Sequence, residues 1–138
     1  MSILKVARMG HPVLRERAQP IDKSALQDPF LQKLIDDMID TMHEYHGVGL
    51  AAPQVHEGLR LFVALLDEDP DSKSEATAII NPEIIPNASD TREGWEGCLS
   101  IPDIRGMVPR LTDITLVSLD RTGKKVERRL KDFPALVV

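Results

Sequence analysis

Between Asp28 and His46 the apolar residues recur at steps of three and four: Phe30, Leu31, Leu34, Ile35, Met38, Ile39 and Met42. That spacing lays one apolar stripe along a helix and predicts a helix over residues 28–46. Asp28 can cap its start and Pro29 suits its first position. Gly47 fits the left-handed position that ends such a helix. A shorter helix is expected from Pro12, carrying Val13 and Leu14.

Beyond Gly47 the pattern changes. Leu61-Phe62-Val63-Ala64-Leu65-Leu66 is a compact apolar run between turn signals, which predicts a buried strand. Residues 67–75 are acidic and polar and read as an exposed loop. Ala78-Ile79-Ile80 predicts another short strand, stopped by Asn81-Pro82. Ile114, Leu116 and Leu119 fall in a strand that turns at Asp120-Arg121-Thr122-Gly123 and returns through Val126 to Leu130. Phe133-Pro134-Ala135-Leu136-Val137-Val138 has the look of an opening helical turn. One turn cannot sustain itself, because helix nucleation is unfavourable. The four apolar residues at the end therefore suggest a core element not included in this sequence. With no internal repeat and no domain boundary, the expectation is one α+β domain spanning residues 1–138, with short antiparallel strands packed around a long helix.

Composition narrows the picture. The chain is 42% hydrophobic and 28% charged, as expected for a soluble globular protein, and 138 residues suffice for one core. No apolar run approaches the ~20 residues of a membrane helix, so no membrane partner is expected. Met1-Ser2-Ile3-Leu4-Lys5 lacks the regions of a signal peptide, and a single cysteine fits a reducing compartment, so the expected location is the cytoplasm. A net charge of −5 argues against nucleic acid as a direct partner. The basic group Arg121, Lys124, Lys125, Arg128, Arg129 and Lys131 reads as a solvated hairpin ahead of a binding patch.

Two segments carry candidate chemistry. Glu96-Gly97-Cys98-Leu99-Ser100 holds the only cysteine, which is buried filler, a nucleophile or a metal ligand. A nucleophilic role is the weaker alternative, because no histidine is obviously supplied as its base. Gly47-Val48-Gly49-Leu50-Ala51-Ala52-Pro53-Gln54 packs two glycines, two alanines and a proline beside a helix end. Such backbone allows close approach, either by an extended ligand paired to a strand edge or by tightly packed neighbours. Gln54 is its one polar side chain.

Together the two segments resemble a known family. Gly47–Gln54 is similar to the first motif of peptide deformylases, G-x-G-L-A-A-P-Q, and Glu96–Ser100 to their second, E-G-C-L-S. Arg8-Met9-Gly10-His11-Pro12-Val13-Leu14-Arg15 resembles the family's N-terminal stretch, and the run from Ile101-Pro102 through Val108-Pro109-Arg110 the segment after the second motif. The resemblance implies metal-dependent hydrolysis of the N-formyl group from formyl-methionine on newly made polypeptides, possible partners being those nascent peptides at the ribosome. It implies that Cys98 is a thiolate metal ligand, and that Gln54 and the backbone N–H of Leu99 serve a developing oxyanion. Gly49 and Gly97 would meet the peptide backbone, and Val48 would line the methionine pocket. Glu96 would organise the loop through Arg110 or Arg105. The implied cofactor is a divalent metal, usually Fe2+, with Zn2+ or Ni2+ as alternatives. Such an ion lowers the pKa of bound water to about 7 and polarises a carbonyl.

The family's third motif, H-E-x-x-H, supplies two histidine ligands and the acid–base glutamate on a helix. Residues 1–138 contain no such motif, and Phe133–Val138 is similar to the residues that lead into it. The expectation is therefore a C-terminally incomplete chain, inactive alone and weak in metal binding. The alternative is a deformylase-like protein that binds peptides or a partner without catalysis. His43-Glu44-Tyr45-His46 offers two histidines three apart, but surface or helix-end roles suit them better than ligation. His11 and His56 adjoin turn residues and read as surface groups.

Overall fold

The structure, a computed structural model, describes residues 2–67 and 75–138. Most of the acidic loop expected at 67–75 lies outside the described residues. Helix α1 spans Pro29–Glu44, and the Asp28 carboxylate caps it by accepting from the Phe30 N–H at 2.9 Å. Its apolar stripe is buried, with Ile35, Met38 and Met42 fully enclosed. The helix ends one residue earlier than Gly47 would require. His46 takes the left-handed backbone, at φ +54°, and Gly47 N–H closes the end by donating to Met42 C=O at 2.9 Å. Gly47 faces the Leu99 side chain: a Cβ there would sit 3.4 Å from its Cδ1, in ordinary van der Waals contact.

Among the described residues, the strands are β1 (Gly49–Ala51), β2 (Leu61–Ala64), β3 (Thr77–Pro86), β4 (Thr91–Cys98), β5 (Ile101–Leu111), β6 (Asp113–Leu119) and β7 (Lys125–Lys131). Five form an antiparallel sheet in the order β1-β2-β3-β6-β7, and β4 and β5 form a separate hairpin. Alternation sorts the sheet into two faces. Leu61, Val63, Ala78 and Ile80 join the core under α1. Ala64, Ile79, Ile114, Leu116 and Leu130 point the other way and are covered by α2 (Phe133–Val137), whose Ala135 is buried among them. The α+β architecture read from the sequence is thus the observed one.

Three strand expectations change. β2 is shorter than the apolar run that predicts it, ending at Ala64. β3 does not stop at Asn81-Pro82 but continues to Pro86. Asn81 absorbs the interruption with φ +49°, and the register with β6 shifts by one residue between Ile80 and Glu83. Its carboxamide accepts from Ile21 N–H and donates to Ile21 C=O, both at 2.8 Å, so a side chain replaces ladder bonds at the bulge. Third, β4 and β5 were not foreseen as strands. The helix expected at Pro12 is a single 3-10 turn, Pro12–Leu14, capped by His11 Nδ1 accepting from Val13 N–H at 3.1 Å.

Candidate active site

The site lies where the edge strand β1 meets the tip of the β4–β5 hairpin. Among the described residues β1 pairs only with β2, leaving its other edge open, and a short 3-10 turn, Ala52–Val55, follows it directly. The turn carries Gln54 back over β1, where its Oε1 accepts from the Ala51 N–H at 3.0 Å. That bond fixes which end of the carboxamide is which, because the backbone donor needs the oxygen. The NH2 end therefore points away, toward Cys98 Sγ at 3.6 Å and Ser100 Oγ at 3.2 Å. Residues more than forty positions apart in sequence meet here.

Cys98 ends β4 and is exposed, which removes the buried-filler reading. Leu99 and Ser100 make the turn into β5, and the pairing beside them is irregular. Cys98 pairs with Ile101 while Gly97 pairs with Arg105, so residues 102–104 are looped out, with Asp103 at φ +65°. Two attachments hold this tip. Leu99 packs its side chain against the core under α1. Met9 N–H donates to Ser100 C=O at 2.9 Å, and two residues earlier Ala7 N–H donates to Gln54 C=O at 2.7 Å. One N-terminal segment thus clasps both halves of the site. Glu96 accepts two hydrogen bonds from Arg110, at 2.9 and 2.8 Å. Those bonds hold the Glu96 carboxyl below its ordinary 4.5, outweighing the partial burial that would raise it. Of the two arginines considered for Glu96, Arg105 instead donates to Trp95 C=O at 3.3 Å.

The remaining candidates fall around this junction. Gly49 lies in the open edge strand, where a Cβ would meet Val63 C=O at 3.6 Å and Val137 Cγ1 at 3.7 Å. Val48, next to Gly49 in the chain, is exposed, and so is Gly97 in β4. His43 and His46 are exposed at the helix end. His11 and His56 are exposed and meet edge to face, with ring centroids 4.6 Å apart. Sequence reasoning missed the Ser100 contact, although Ser100 closes the second motif, and missed the Ala7 and Met9 clasps. Every residue but proline carries a main-chain N–H, so no sequence signal marks those two.

Fold and site together define an α+β protein with an open sheet edge beside a carboxamide and an exposed thiol. The family described as Polypeptide deformylase matches residues 3–138. A peptide deformylase 2 of Nostoc sp. is 40% identical over 139 residues, covering 98% of this chain and 76% of that relative. One from Pseudomonas putida is 40% identical and covers 99% and 79% respectively. Among solved structures, a class I type b peptide deformylase from Acinetobacter baumannii superimposes with a TM-score of 0.91 at 36% identity, covering 99% of this chain and 89% of that one. The A. baumannii enzyme with Met-Ala-Ser bound gives a TM-score of 0.90 at 38% identity, with the same coverage. The chain belongs to the peptide deformylase family, metal-dependent hydrolases that remove the formyl group from formyl-methionyl nascent peptides.

The family's metal dependence can be tested against the residues present. Cys98 offers a soft, accessible donor. Among the described residues, however, no three His, Cys, Asp or Glu groups come together to hold a metal ion, and residues 1–138 contain no H-E-x-x-H. These residues alone do not make a metal site, and Cys98 is one candidate ligand. Among the described residues no helix is long and apolar enough to cross a membrane.

Proposed function

We propose that residues 1–138 form one deformylase-like domain in which the β1 edge binds the peptide and the junction of Gln54, Cys98 and Leu99 receives its formyl group. The carrying observation is the orientation of the Gln54 carboxamide. With its oxygen engaged by Ala51 N–H, its NH2 end is presented to the space beside Cys98. A carbonyl oxygen placed there gains a donor that strengthens as negative charge develops, and one such donor is worth about 3 kcal/mol in the transition state. The Leu99 N–H, in the turn after Cys98, is assigned as the second donor. Gly49 in the open edge and Gly97 in the hairpin meet the substrate backbone, in the manner of strand addition. Val48, exposed beside Gly49, lines the methionine pocket. The Met-Ala-Ser complex of the A. baumannii enzyme supports a peptide of this class.

Cys98 is assigned as a metal ligand. Fe2+ is the proposed ion by family resemblance, with Zn2+ and Ni2+ as alternatives. The proposed setting is the cytoplasm, on nascent chains at the ribosome. The test is formate release from formyl-Met-Ala-Ser by protein expressed from its own gene and supplied with ferrous ion. Gln54→Ala is expected to lower kcat by about 100-fold with little change in KM. Wild-type turnover in that variant would remove Gln54 from its role. Metal analysis after anaerobic purification decides the ion.

A further inference from the structure

We propose that the hydroxyl of Ser100 is the positioning group that fixes the Gln54 carboxamide toward Cys98; this rests on the reading of Gln54 as the oxyanion donor. Ser100 is only 4% exposed, one of the few polar side chains buried among the described residues. Enclosing a hydroxyl there is unfavourable unless it finds a partner, and alanine would fill nearly the same space without that cost. The partner is Gln54, whose Nε2 donates to Ser100 Oγ at 3.2 Å.

Glutamine needs such support. Its three side-chain torsions carry up to ~2 kcal/mol of conformational entropy when free. The Ala51 N–H holds only the oxygen end. Cys98 Sγ, 3.6 Å from Nε2, is a weak acceptor and does little to fix the nitrogen end. Ser100 is therefore the second point that defines the carboxamide plane. The two anchors are themselves held together. Ala7 N–H ties the backbone of Gln54, and Met9 N–H, on the same short segment, ties the backbone of Ser100. The side-chain bond thus spans two points whose separation is already set, so little further freedom is lost in making it. Ser100 touches no reacting atom in this assignment; it acts through Gln54.

Hydrogen exchange of the Gln54 side-chain amide, followed by NMR on the full 138-residue chain, tests this without any metal. Ser100→Ala should speed that exchange by ~10-fold, the equivalent of one lost hydrogen bond. Ser100→Thr, which keeps the hydroxyl, should restore it, whereas a merely space-filling role would be indifferent to the hydroxyl. Exchange unchanged in Ser100→Ala, or equally fast in both variants, overturns the proposal. Should Ser100→Ala not fold, the unaltered protein still decides. Its Gln54 amide must exchange more slowly than that of the exposed Gln27, and equal rates overturn the proposal. Failure of the oxyanion-donor reading shows elsewhere, as unimpaired turnover in Gln54→Ala, and leaves these exchange rates as they are.

Discussion

The sheet under α1 and the β4–β5 hairpin are built on opposite principles. In α1 and β2 the apolar side chains of Ile35, Met38, Met42 and Val63 are fully enclosed. In β4 every residue except Glu96 is exposed, and β5 buries little more. Yet the hairpin carries Cys98 at its tip, while the sheet contributes the rigid edge it faces. The placement of the thiol thus depends on two attachments at the tip, Leu99 against the core and Ser100 C=O accepting from Met9 N–H, while the Glu96–Arg110 pair braces the hairpin internally. A core spreads its stabilisation over many contacts, whereas a tip held by a few can be released by one change.

The largest expected effect lies in the core. Ile35→Ala should cost about 3–4 kcal/mol by urea unfolding, since it empties a fully enclosed site at the centre of α1. A loss under ~1 kcal/mol would mean that α1 can collapse onto the sheet and that its packing is looser than described. Leu99→Ala should cost less, about 1–2 kcal/mol, because Leu99 is half-buried and reaches the core from outside. It should also disturb the backbone resonances of Gly47 and Cys98 more than those of β6 and β7. Uniform changes across both regions would break the distinction between tip and core.

The same contrast explains what the sequence made legible. α1 and β6 were readable because one face of each is buried, and burial imposes a period on the apolar residues, while the turn at residues 120–123 was readable from its residue types. The β4–β5 hairpin was not readable, because both its faces are largely exposed and neither imposes an alternation. Gly94, Gly97, Gly106 and Pro109 are residue types common in turns, although their ladder is continuous from Thr91 to Gly97. β3 was cut short for a related reason: Asn81-Pro82 is a turn signal locally, and only the distant Ile21 makes it a bulge. For the site, motif resemblance located Gln54 and Cys98 but not their contact. The bond from Gln54 to Ser100 joins residues 46 positions apart, and no local pattern encodes it. Likewise two arginines lay within plausible reach of Glu96, and only the strand register selects Arg110.

A smaller effect is expected from the Glu96–Arg110 pair. Both side chains are partly exposed, so Glu96→Gln should cost about 1 kcal/mol or less at pH 7. The sign with pH follows from the lowered carboxyl pKa. The folded state binds the proton less readily than the unfolded chain, so the pair's stabilisation is full above the ordinary glutamate value of 4.5. It is lost as pH falls from there through the folded value. The stability gap between wild type and Glu96→Gln should therefore hold steady above the ordinary value of 4.5 and shrink as pH falls below it. A gap that widens on acidification would reverse the assignment of the charged pair.

The smallest effect should come from Trp95, whose ring is 65% exposed on the hairpin body, opposite Met107. Trp95→Ala is expected to change stability by less than ~0.5 kcal/mol, despite removing the largest side chain in the protein. Size matters to stability only through the surface that folding removes from water, and here most of that surface stays wet. Trp95 is also the sole tryptophan, so its emission reports on the hairpin while circular dichroism reports on the helix and sheet together. If hairpin and core are separable, the emission of the wild-type protein should change at lower urea than the dichroism does. Coincident transitions, or a loss of more than ~1 kcal/mol in Trp95→Ala, would show that the hairpin body shares in the core's cooperativity.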